Sequence, residues 1–118
     1  MSIHKQVMVE SPAGRRLMAY LTIMNTRNTE RLKVYVADNY ADEALEKESV
    51  DARMRWHDEA FDLTGRLRIH QVVAYDEHYV VVMLQAERDD GYYISEFKVD
   101  EDYPHKIMKF NLHPAGDE

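Results

Sequence analysis

The stretch RLRIHQVVAYDEHYVVVMLQAERDDGYYISEFKVDEDYPHKIMKFNLHP, Arg66 to Pro114, decides the fold. It divides into four strand-like segments: Arg66 to Val73, Tyr79 to Glu87, Tyr92 to Val99 and His105 to His113. Asp76-Glu77, Asp89-Asp90-Gly91 and Asp100-Glu-Asp-Tyr-Pro104 separate them, all rich in residues that favour turns. A four-stranded antiparallel meander follows from that spacing. Side chains alternate between the two faces of a strand. Leu67, Ile69, Gln71 and Val73 therefore share one face, as do Tyr93, Ser95, Phe97 and Val99. In the last segment Met108, Phe110 and Leu112 fall inward, opposite Ile107, Lys109 and Asn111. Val80-Val-Val-Met-Leu84 is apolar on both faces, which a sheet with one side in water would not need. A homodimer through the outer sheet face is the economical explanation.

Upstream, three helical segments read as a cover for one side of this sheet. Ser11 caps the first and Pro12 takes its first position, where a missing N–H costs nothing. Leu17, Tyr20, Leu21 and Met24 form its apolar stripe. Asn28 or Thr29 caps the second, lined by Leu32, Tyr35, Val36 and Tyr40. The third runs from about Val50 to Leu63, with Val50, Met54, His57 and Phe61 on one face and Gly65 ending it. Met1 to Glu10 reads as a lead-in or partner-contacting arm, and Ala41 to Ser49 as a loop or frayed turn.

The 118 residues make one domain, 1–118, long enough for a core without metal or disulfide staples. A formal net charge of −7 argues against a nucleic-acid groove, and Arg15-Arg16 and Arg53/Arg55 read as solvated helix faces. With no cysteine there is neither a disulfide framework nor a thiolate nucleophile. No apolar run approaches a membrane span or a signal peptide, so a cytoplasmic protein without membrane attachment is the expectation. The six histidines lack paired metal-ligand spacing, and no glycine-rich phosphate loop or nucleophile elbow occurs. Neither a metal nor a cofactor is implied.

Several strings, taken in this element order, resemble the nuclear transport factor 2-like (SnoaL-like, cystatin-like α+β cone) superfamily. They are Ser11-Pro-Ala-Gly-Arg-Arg-Leu17, Thr64-Gly-Arg-Leu67, Asp90-Gly-Tyr-Tyr93, Pro104-His-Lys-Ile107 and Leu112-His-Pro114. The likeness is greatest to its small uncharacterised and serine-hydrolase-associated members. The resemblance implies an α+β fold in which three N-terminal helices pack on the concave face of a curved four-stranded antiparallel sheet. It further implies a conical, mostly apolar pocket between the two layers.

Polar residues that pattern places on inward faces are the ligand-binding candidates: Tyr20, Tyr35, His57, Gln71, Tyr93 and Ser95. His57 stands on an apolar stripe and titrates near neutrality in its ordinary state. It reads either as a base or ligand partner, or as a buried neutral ring tied to a nearby group. The chain is accordingly expected to be a small-molecule-binding or accessory domain with a small apolar ligand. The alternative is a polyketide-cyclase or isomerase-like enzyme with His57 as base and Tyr20 as hydrogen-bond donor to an oxyanion.

Overall fold

A computed structural model describes residues 3–115. It is α+β, with five helices followed by an antiparallel sheet. The helices are α1 (Ile3–Glu10), α2 (Pro12–Asn25), α3 (Thr29–Asn39), α4 (Asp42–Lys47) and α5 (Val50–Thr64). The strands are β1 (Leu67–Asp76), β2 (Tyr79–Ala86), β3 (Tyr92–Val99), β4 (Ile107–Phe110) and β5 (His113–Pro114). The sheet order is β1-β2-β3-β4, with β5 pairing the start of β3 on the edge that β4 also uses.

Local signals account for most of these boundaries. Ser11 accepts from the Gly14 amide at 2.9 Å, Asn28 from Arg31 at 3.1 Å and Ser49 from Ala52 at 3.2 Å, so each long helix starts at a side-chain cap. Gly65 ends α5 at φ 67 and ψ −147, a conformation open to glycine alone, and its amide donates to the Phe61 carbonyl. An added Cβ there would meet Arg88 Cγ and Glu87 Oε1 at 2.9 Å.

Two helices exceed the three expected. Residues 3–10 of the supposed arm form α1, anchored through buried Met8; residues 1 and 2 lie outside the described residues. The supposed loop after Tyr40 contains α4, which buries Ala44 and carries Asp42 and Glu43 in its first turn and Lys47 in its last. That charge order suits the helix dipole.

On the sheet, β3 alternates as the pattern predicts, with Tyr93, Ser95, Phe97 and Val99 buried; β2, apolar on both faces in sequence, buries Val80, Val82 and Leu84 toward the helices. β1 does not alternate in this way. Its pairing with β2 shifts between Ile69 and Gln71 and again between Val72 and Ala74. Each bulge adds an unpaired residue and reverses the parity beyond it. Val72 is therefore buried and Val73 is 51% exposed. A third irregularity, between Lys98 and Val99, buries Ile107, which the alternation had put on the outer face.

Helix α2 crosses β1, β2 and β3, and Tyr20 lies at its centre. The space between α2 and the sheet is occupied by protein side chains. Tyr20, Tyr40, Phe97, Leu17 and Leu84 are among the largest fully buried ones. Among the described residues no helix is long and apolar enough to cross a membrane.

Candidate functional site

The buried polar centre is built from three helices. α2 contributes Tyr20 from its apolar stripe, the residue capping the end of α3 is Tyr40, and α5 contributes His57. The Tyr20 hydroxyl meets the Tyr40 hydroxyl at 3.0 Å and also bonds His57 Nε2. Rings enclose it: Tyr35 and His57 lie 5.3 Å from the Tyr20 ring, Phe110 5.0 Å and Phe97 6.3 Å. Trp56 closes the outside, 4.8 Å from His57 and 5.6 Å from Phe110.

Arg53, one helical turn before His57, is buried rather than solvated, a correction to the sequence reading. Its guanidinium lies 4.1 Å over the Tyr40 ring. It donates to the carbonyls of Ala44 at 2.8 Å and Glu48 at 3.0 Å, and its charge meets the Glu48 carboxylate at 3.3 Å. Those carbonyls belong to the end of α4, so one side chain ties α4 to α5 while its charge stays compensated.

Burial raises the Tyr20 hydroxyl well above the ordinary tyrosine value, with the neighbouring Tyr40 adding to the effect. Burial pushes Tyr40 up to about 12. The His57 ring is lowered to about 4, first by burial and then by the Arg53 charge. At neutral pH the chain Tyr40–Tyr20–His57 is therefore uncharged. A neutral imidazole has one N–H and one lone pair. With Nε2 engaged by Tyr20, Nδ1 makes no hydrogen bond among the described residues. A buried polar atom left in that condition costs about 1–3 kcal/mol.

His57 is 4% exposed and forms part of the wall of a recess of about 290 Å³. Met24, Leu32 and Phe61 supply its apolar lining; Arg27, Asn28, Thr29 and Asp58 supply polar edges. The Arg27 guanidinium lies 4.0 Å over the Phe61 ring and 3.8 Å from the Asp62 carboxylate.

The six residues nominated from sequence do not share one cavity. Tyr20 and His57 are bonded, but Tyr20 has no exposed surface. Tyr35 packs on Tyr20 and donates its hydroxyl to the Arg16 carbonyl at 3.2 Å; it edges a separate groove with Arg15, Tyr103 and Pro104. Ser95 is fully buried and its hydroxyl lacks a partner among the described residues. Tyr93 reaches Asp89 at 3.4 Å beside the β2–β3 turn. Gln71 is exposed, because the β1 bulge turns it away from the helices. Sequence reasoning overlooked Tyr40 and Arg53. Both had a signal: Tyr40 ends the α3 stripe, and Arg53 stands four residues before His57, hence on its face.

No group of three or more histidine, aspartate or glutamate side chains is placed to hold a metal ion among the described residues. No protein-family model matches the chain, and no match is found among curated proteins or solved structures.

Proposed function

We propose that this chain is a small-molecule-binding domain of the nuclear transport factor 2-like kind, with its helices over the hollow side of a curved sheet, acting as a homodimer. The observation that carries the binding role is the recess of about 290 Å³ beside His57, whose apolar lining is bordered by the polar groups of Arg27, Asn28, Thr29 and Asp58. Met24, Leu32 and Phe61 offer an apolar guest its contact area.

The dimer reading rests on the outer sheet face. Val73 is 51% exposed and Tyr92 40%, with Val81 and Met83 half-buried between them. An apolar patch of this kind on a short sheet is suited to its own copy. Light scattering after size exclusion tests it: dimer at micromolar concentration, converted to monomer by Val73→Lys. A wild-type monomer would remove the dimer from the proposal.

The Tyr20–His57 bond also fits an isomerase-like enzyme, with His57 as base and Tyr20 as donor. Binding is the better reading for two reasons. Tyr20 has no surface open to a substrate, and a ring whose pKa is lowered to about 4 is a poor base at neutral pH. Titration with phenol, followed by amide correlation spectra, tests the binding role. Shifts should cluster at Met24, Thr29, Leu32, His57 and Phe61; shifts confined elsewhere, or none at millimolar phenol, would dismiss the recess as a receptor.

A further inference from the structure

At one end of the sheet two connections meet, and each carries a histidine. His78 stands in the turn between β1 and β2, and His105 in the connection from β3 to β4. The fold sets their rings side by side, with centroids 5.2 Å apart and planes inclined by 34°. Both residues are half-buried.

Backbone bonds pin the segments that carry the two rings. The Val99 amide donates to the His78 carbonyl at 2.9 Å, which joins the turn to the end of β3. The His78 amide in turn donates to Asp76 Oδ1 at 3.0 Å. Across from it, the His105 amide donates to the Asp102 carbonyl and the Asp100 amide to the Lys106 carbonyl, each at 2.8 Å. His105 Nδ1 lies 2.9 Å from the Asp100 carbonyl oxygen, which can only accept. In the neutral ring Nδ1 therefore carries the proton and Nε2 keeps a lone pair. Metal-ligating histidines are oriented in this way, with the second nitrogen donating to a carbonyl or carboxylate. Among the described residues this is the one hydrogen bond that either ring makes.

Two imidazoles on one tetrahedral zinc, each nitrogen about 2.0–2.1 Å from the ion, hold their ring centroids about 5 Å apart. The His78–His105 spacing meets that requirement. Asp76, Glu77, Asp100, Glu101 and Asp102 fall in the same two connections, against a single lysine, Lys106. Their combined field favours a cation there.

We propose that His78 and His105 form a site for a divalent late transition-metal ion such as zinc, bridging the β1–β2 turn to the β3–β4 connection. His105 Nε2 and one nitrogen of His78 bind the ion, and water completes its coordination. The His78 ring turns about its side-chain bonds to present that nitrogen, since no hydrogen bond holds the ring elsewhere among the described residues. Imidazole suits zinc, nickel and copper, whereas magnesium and calcium take oxygen ligands. The site is separate from the recess, so its failure would leave the binding role standing.

Zinc chloride, titrated calorimetrically into the full chain in a buffer that does not bind metal, should fill one site with a dissociation constant below about 100 μM. Magnesium should give no such isotherm. His78→Gln and His105→Asn should each weaken zinc by about tenfold or more, while His70→Gln, beside Tyr92 on β1, leaves it unchanged. In the wild type, the ring ¹⁵N resonances of His78 and His105 should move on zinc addition and those of His57 and His70 should not, a readout that needs no variant to fold. Magnesium bound as tightly as zinc would assign the cation to the carboxylates and overturn the imidazole site. Zinc binding that His70→Gln weakens, or that His78→Gln and His105→Asn both leave intact, would overturn it as well. So would the absence of zinc binding.

Discussion

Replacing His57 with phenylalanine, and measuring urea unfolding of both proteins at about pH 7 and about pH 5, isolates the proton linkage of one buried ring. In the folded chain burial and the Arg53 charge lower the His57 pKa from 6.5 to about 4. The unfolded ring takes up its proton near the ordinary value. Between those two values the unfolded state therefore binds more protons, and stability falls as the pH falls. The contribution is complete above about pH 6.5 and is lost progressively as the pH drops toward 4. Integrating across that window, roughly 2 kcal/mol present at about pH 7 is gone by about pH 5. Tyr20 and Tyr40 face the ring as neutral groups through this range, and Arg53 keeps its charge. Glu96, held below the ordinary carboxylate value by its bonds from Tyr79 and Asn111, loses its contribution only at lower pH. The phenylalanine variant lacks the titrating group and should lose about 2 kcal/mol less than wild type over the same interval. Parallel losses in the two proteins would refute the assignment of a neutral, desolvated ring at this position.

Three other substitutions probe the same frame. Tyr20→Phe removes the hydroxyl shared by Tyr40 and His57, leaves both without that partner, and should cost about 1–3 kcal/mol in urea unfolding; a change within error would mean the chain of bonds is not formed. Arg53→Leu removes the side-chain donor from the Glu48 carbonyl and one of two donors from the Ala44 carbonyl, and should cost about 1–3 kcal/mol, with amide exchange accelerating first in α4; uniform exchange rates would count against the tie. Gly65→Ala forces a side chain into positive φ against Arg88 and Glu87, and a loss of about 1–3 kcal/mol in thermal or urea unfolding is expected; an unchanged midpoint would exclude strain there.

Much of the backbone plan was legible because it is locally encoded. Ser11-Pro12 and Asn28 announce helix starts through side chains that can cap, and both do so; Ser49, which caps α5 in the same way, stands where the sequence reads as the end of a loop or frayed turn. The alternation in β3 correctly assigns Ser95 and Phe97 to the buried face. Parity failed wherever pairing slips. Gln71 and Ile107 changed faces because bulges depend on the partner strand, which the local sequence does not describe. Helix α4 was hidden because six residues give too short a periodic signal, and its end is tied by Arg53, a residue outside it.

The site was half legible for a similar reason. A histidine on an apolar stripe flagged His57, and the inward tyrosine of α2 flagged Tyr20. Their bond could not be read from the sequence, because it depends on how α2 and α5 sit against each other. Arg53 misled because a charged residue in an arginine-rich turn normally faces water. Here the Tyr40 ring and two helix-end carbonyls replace the water.

The most direct test of the central claim is the ring ¹⁵N spectrum of His57 at neutral pH. The account predicts a neutral ring, with Nε2 hydrogen-bonded to Tyr20 and Nδ1 without a partner. A doubly protonated ring, or a hydrogen-bonded Nδ1, would contradict it.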